Sequence, residues 1–72
     1  MISEKGLMEY IKYYAGMIES SARMIKENIN GFKHPRIRNE IEYHIKKLEE
    51  YVKKLTGEWE MLKLVERRRG MR

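Results

Sequence analysis

Asn30-Gly31-Phe32-Lys33-His34-Pro35 is the stretch on which this chain turns. Here the helix-stopping signals accumulate. Gly31 suits the left-handed residue that follows a helix C-terminus, because it has no Cβ to clash. Pro35 suits the first turn of a following helix, where its missing N–H costs nothing. A long stretch of helical periodicity lies on each side. The chain therefore reads as an all-α antiparallel helical hairpin, with helices over about 3–30 and 35–67, forming one domain over 1–72.

Before the turn, Ser3 is a good N-cap, and Glu4 in the first turn is favoured by the helix dipole. Ile2 and Leu7 are spaced for a hydrophobic staple. From there an apolar seam runs Leu7, Ile11, Tyr14, Ile18, Ser21, Ile25, Asn28, Phe32, in alternating steps of four and three. With the Ile positions as heptad a, the flanks at e (Met8, Ala15, Ala22, Ile29) and g (Tyr10, Met17, Met24) are apolar too. A two-helix contact needs only a and d. A stripe this wide is about twice what one partner helix covers, which points to a bundle of more than two helices. Ala15, Ser21 and Ala22 predict one close helix approach. Gly16 and Tyr13 fall on the outer side, so Tyr13 is expected to be exposed.

After the turn, the seam runs Ile41, Ile45, Leu48, Val52, Leu55, Trp59, Leu62, again coiled-coil-like. Ile37, His44, Tyr51, Glu58 and Val65 flank it at g. The outer side carries Glu42–Lys46, Glu49–Lys53 and Glu50–Lys54, each Glu four residues before its Lys, the favourable order for helix ion pairs. That charge run reads first as a solvated face. Thr56-Gly57 could end a helix, but the seam crosses it in phase, which favours one continuous helix with room for a bend. Fraying is expected near Glu66, leaving 67–72 as a frayed basic tail.

Folding about the turn pairs residues whose numbers sum to about 66. Ile25 then meets Ile41, Ile18 meets Leu48, Tyr14 meets Val52, Ile11 meets Leu55 and Leu7 meets Trp59, with Phe32 plugging the end. Apolar meets apolar at each level, which supports the hairpin independently of the turn residues. Ser21 and Asn28 are polar d positions, which specify register or face a wet layer.

A chain of 72 residues buries a modest fraction of its surface and usually needs a disulfide, a metal or a partner chain. With no Cys, disulfides and thiolate metal sites are excluded. Two His residues without carboxylate partners make no metal site, and no cofactor is expected. Oligomerisation remains, and a homodimeric four-helix bundle is its natural closure. The sequence leaves open whether the two hairpins run parallel or antiparallel.

Such a dimer resembles the Rop-type plasmid RNA-binding proteins in architecture. The short length and the Lys/Glu/Ile composition also resemble the small dimeric helical-hairpin proteins of archaeal spindle-shaped viruses, suggested to act as adaptors. Lys and Glu enrichment is similar to that of hyperthermophile proteins. The resemblance implies a viral, thermophilic homodimer working through protein–protein interaction, in the host cell cytoplasm if viral. It is carried by architecture and composition, so it transfers no functional residues.

The sequence has no Asp, no Gly-rich phosphate loop and no His-Glu-x-x-His motif, and its serines have no evident base. No enzyme is expected. No run of apolar residues is long enough for a transmembrane segment, and the N-terminus lacks a signal peptide's apolar core, so a cytoplasmic protein is expected. His44 is spaced to hydrogen-bond Glu40.

The net charge of +5 falls entirely within residues 33–72, which hold twelve basic groups and seven Glu. Lys33, Arg36 and Arg38 cluster by the turn, and Arg67, Arg68 and Arg69 near the far end. These and Tyr13 are the candidate contacts for a partner. The expected function is a non-enzymatic adaptor or regulatory protein that binds another macromolecule, above all a protein, through the surface of the dimeric bundle. The alternative is an RNA- or DNA-binding protein using the basic turn and tail, since cations that neutralise phosphates supply salt-dependent affinity. Against that alternative, Glu residues interrupt any basic stripe along the second helix.

Overall fold

The computed structural model describes residues 3–70. They form two helices joined by a tight turn: α1 over Glu4–Asn28, a 3-10 turn over Ile29–Gly31, and α2 over Pro35–Gly70. The two helices lie against one another along α1, as the wide apolar stripe requires. The result is a thin rod with Cα extents of 58 × 17 × 14 Å. Its radius of gyration is 16.5 Å, where a compact chain of this length would have about 11 Å.

Local chemistry accounts for both helix starts. Ser3 takes extended backbone angles, and its Oγ accepts a 3.0 Å bond from Gly6 N–H, satisfying one of the orphan donors of α1. Ile2, the other half of the expected staple, lies outside the described residues. Pro35 opens α2 as its fixed φ allows, and the carbonyl of His34 accepts the first α2 bond from Arg38 N–H at 2.9 Å.

The turn itself differs from the sequence reading. No glycine among the described residues has a positive φ, so Gly31 is not a left-handed cap. The chain reverses instead through the 3-10 turn, with Phe32 N–H bonded to Ile29 O at 3.2 Å and His34 N–H to Gly31 O at 2.9 Å. Gly31 instead makes room for Ile37: a Cβ there would lie 3.2 Å from Ile37 Cγ2, a tight contact, so α2 starts by packing a branched side chain onto bare backbone. Arg38 braces the same turn, its Nε donating to Phe32 O at 3.1 Å. Phe32 does not plug the end of the hairpin; its ring is half exposed. Asn28 turns its side chain back along α1, with Nδ2 donating to Met24 O at 2.7 Å.

α2 runs through Thr56-Gly57 without a break. Thr56 Oγ1 donates to Val52 O at 2.8 Å, so the hydroxyl is absorbed by the helix's own carbonyls instead of ending it. The helix also continues beyond Glu66. Arg67 and Arg68 stand in its last turns, not in a frayed tail, since nothing before Gly70 stops propagation. Met71, Arg72 and the side chain of Arg69 lie outside the described residues.

The register sums to about 66 along the seam. Tyr14 meets Tyr51 with ring centroids 6.4 Å apart, Glu4 and Met8 share a hollow with Leu62 and Trp59, and Met24 shares one with Tyr43. The core is thin. Among the described apolar residues only Leu7 and Ile41 are buried, joined by the small Ser21. Ile11, Tyr14, Ile18, Ile25, Leu48, Leu55 and Leu62 are half-buried. Within one chain, α2 turns Ile41, Leu48, Leu55 and Leu62, with His44, Tyr51, Glu58 and Val65 beside them, toward α1. The other half of the expected seam stays outside: Ile45 is 41%, Val52 42% and Trp59 49% exposed.

Candidate interaction surface

The hairpin leaves two long faces, one on each side of the α1–α2 seam. Steps of seven residues keep to one side of a helix, so each face can be followed along its helix.

The first face is lined by the e positions of α1 and the a positions of α2. Met8 and Trp59 stand together at its open end, around a hollow shared with Glu4, Leu62, Lys63 and Glu66. Ala15, Ala22 and Ile29 continue it on α1, and Val52 and Ile45 on α2. Met8, Ile29, Ile45, Val52 and Trp59 are all exposed in the single chain.

The second face is aromatic. Tyr14 stacks on Tyr10 at 6.4 Å, takes the edge of Tyr13 at 5.5 Å and meets Tyr51 across the seam. Further toward the turn, Met17, Ser20, Ser21 and Met24 of α1 face Tyr43, His44, Lys47 and Tyr51 of α2 around a shallow hollow. Tyr43 lies edge-on to His44, and Lys47 Nζ sits 5.8 Å from the centre of the Tyr43 ring. No hydrogen bond joins His44 to Glu40. Tyr13 and Tyr43 are exposed, as the sequence predicts. The sequence reading missed the cluster as a whole, although its signal was present. Tyr10, Tyr13 and Tyr14 are spaced for one helix side, and the hairpin register carries Tyr51 to Tyr14.

Charge is distributed unevenly around α2. On the outer side Glu50 pairs with both Lys47 (3.7 Å) and Lys54 (3.8 Å). The expected pairs Glu42–Lys46 and Glu49–Lys53 do not form, and these four groups border the first face. Glu9 also pairs with Lys12 (3.7 Å), and Glu60 with Lys63 (3.1 Å). Lys63 also stands 6.0 Å from the centre of the Trp59 ring.

The basic candidates do not converge in one chain. Lys33, Arg36 and Arg38 are exposed at the turn, while Arg67 and Arg68 are exposed at the opposite end of the rod. No group of three or more His, Cys, Asp or Glu among the described residues is placed to hold a metal ion. No helix among them is long and apolar enough to cross a membrane.

The fold and its faces define a two-helix, all-α hairpin with wide unpartnered sides. No protein family, curated protein or solved structure matches this chain.

Proposed function

We propose that the protein is a non-enzymatic adaptor or regulatory protein, working as a homodimeric four-helix bundle whose outer surface binds another macromolecule, above all a protein. One observation carries the reading: among the described residues of a 72-residue chain, only Leu7 and Ile41 are buried apolar side chains, while two long non-polar faces are exposed. Monomeric soluble proteins rarely expose contiguous apolar surface on that scale. Self-association accounts for one face. The other, rich in Tyr and Met, has the composition of adaptable protein-recognition surfaces, where rings give area at low entropy cost and thioethers repack. Viral, archaeal and thermophilic origin belong to the same proposal and rest on composition and architecture alone.

Light scattering tests the assembly, with a folded monomer at micromolar concentration as the contrary result. Titration with RNA and DNA at increasing salt tests the partner class. Binding that weakens steeply with salt, and is lost on Arg67, Arg68, Arg69→Ala, would turn the reading to nucleic acid. The exposed cations at both rod ends favour that second reading. Glu42, Glu49 and Glu60, interleaved along α2 between them, oppose it.

A further inference from the structure

We propose that a second copy of this chain covers the Met8–Trp59 face, with α2 packed antiparallel on the partner's α2 about a two-fold axis at Val52. The inference rests on the dimer reading above and adds which face is used and which way the hairpins point.

Area is the first argument. The chain exposes 6233 Å², where a compact monomer of 8.8 kDa would expose about 4,800 Å². The excess over that expectation is larger than the roughly 800 Å² per partner of a standard specific interface. Both non-polar faces contribute to it, and the Met8–Trp59 face carries a self-complementary order of residues along α2.

That complementarity is legible along α2. The line Arg38, Ile45, Val52, Trp59, Glu66 advances by seven residues each time. Glu66 shares the hollow of Met8 and Trp59, which fixes the line on this face. Reversed about Val52, it places Val52 on its own copy, Ile45 on the partner's Trp59, and Arg38 on the partner's Glu66. The apolar centre is thus closed at each end by an ion pair. One position over, Glu42 falls opposite the partner's Lys63 and Lys46 opposite the partner's Glu60. Of the four groups that border this face and find no ion pair within the chain, Glu42 and Lys46 acquire one, from the partner's Lys63 and Glu60, which pair with each other in the single chain. Lys53 meets its own copy near the axis, with Glu49 beside it.

Length gives an independent argument. α2 spans Pro35–Gly70, so its midpoint falls between residues 52 and 53. An antiparallel pair centred on Val52 overlaps along the full helix. The end of α2 beyond residue 62, which overhangs α1 in its own chain, then lies on the first turns of the partner's α2. Hairpins pointing the same way would leave that end beyond the reach of any α1. On the α1 side, the hairpin register brings Ala15 to the axis and Met8 over the partner's Ala22, so large meets small where the helices approach.

Three measurements test this. The chain contains no Cys, so Val52→Cys gives a single thiol. A short bismaleimide is expected to link it to its copy far faster than it links Tyr43→Cys on the aromatic face. Nitroxides on Lys33→Cys are expected to lie about 55 Å apart along the rod. Arg38→Glu alone or Glu66→Arg alone is expected to weaken dimerisation roughly 2- to 30-fold, and the double reversal to restore it. A monomer by mass would overturn both the dimer reading and this inference. A dimer in which Tyr43→Cys links faster, the Lys33 labels lie close together and the double reversal gives no rescue would overturn the inference and leave the dimer standing. Circular dichroism on each variant separates lost association from lost folding, including the loss of the Arg38 bond to Phe32 O in Arg38→Glu, and Glu66→Arg, at an exposed position, keeps the test valid if Val52→Cys misfolds.

Discussion

Replacing Trp59 with Ala separates what one chain buries from what a second chain covers. The side chain is 49% exposed in the hairpin. A fully buried Trp removes roughly 150–250 Å² from water, so about 100 Å² per chain remains for a partner to cover. At about 25 cal/mol per Å², that is about 2.5 kcal/mol per Trp and about 5 kcal/mol for the two in a dimer. Trp59→Ala is therefore expected to weaken dimerisation by about three to four orders of magnitude. The inner half of the ring adds about 2.5 kcal/mol of loss within the chain, and that part does not depend on concentration. Sedimentation equilibrium on both proteins reads the first term. Thermal unfolding by circular dichroism at several concentrations separates it from the second, since only an associating protein gains stability on concentration. Trp59 is also the sole Trp of the chain, so its emission reports on this face directly. Diluting the wild type through its dissociation is expected to shift the emission to the red. A variant that dimerises as tightly as the wild type would refute the reasoning, as would an emission maximum that stays fixed while the mass halves.

Further expectations concern the hairpin itself. Leu7→Ala removes the one apolar side chain with no exposed surface and is expected to cost about 3–5 kcal/mol in urea unfolding. Ser3→Ala deletes the α1 cap and should cost about 1 kcal/mol, with the loss of helical signal confined to the first turns. Gly16→Ala and Gly57→Ala each place a methyl in open space on the outer side of a helix. Each is expected to raise stability by roughly 0.5–1 kcal/mol, measured by the urea midpoint, without altering the mass in solution.

The hairpin was legible in the sequence because several local signals agreed. Ser3, Pro35 and the two apolar seams each pointed to the same chain reversal, and the register followed from counting around the turn. The continuity of α2 was legible too, because the seam held its phase across Gly57. Gly31 was read as the left-handed residue after α1, but no glycine among the described residues has a positive φ. Its role lies in the contact with Ile37, six residues on, which no local propensity encodes. The rotation of α2 was also out of reach. A stripe covering a, d and g carries no mark saying which half meets α1, so Val52 was set against Tyr14 and Trp59 against Leu7 within the chain, where Ile45, Val52 and Trp59 instead stay exposed. The ion pairs at Glu42 and Glu49 failed because sequence spacing gives an opportunity to pair and nothing more. The tyrosine cluster was missed for the opposite reason: each ring was judged singly, while its environment depends on rings from both helices.

The straightness of α2 has a consequence for any ligand that engages both basic clusters of one chain. From Arg36 to Arg68 the helix advances about 48 Å at 1.5 Å per residue. Successive phosphates along one strand of a duplex advance about 3.4 Å each along its axis. A duplex reaching from one cluster to the other must therefore run about 14 base pairs. In the antiparallel dimer, Arg36 stands level with the partner's Arg68, so each rod end carries one cluster from each chain and a short duplex already reaches both kinds. Affinity against fragment length would then rise in two steps, one at a single rod end and one at about 14 base pairs.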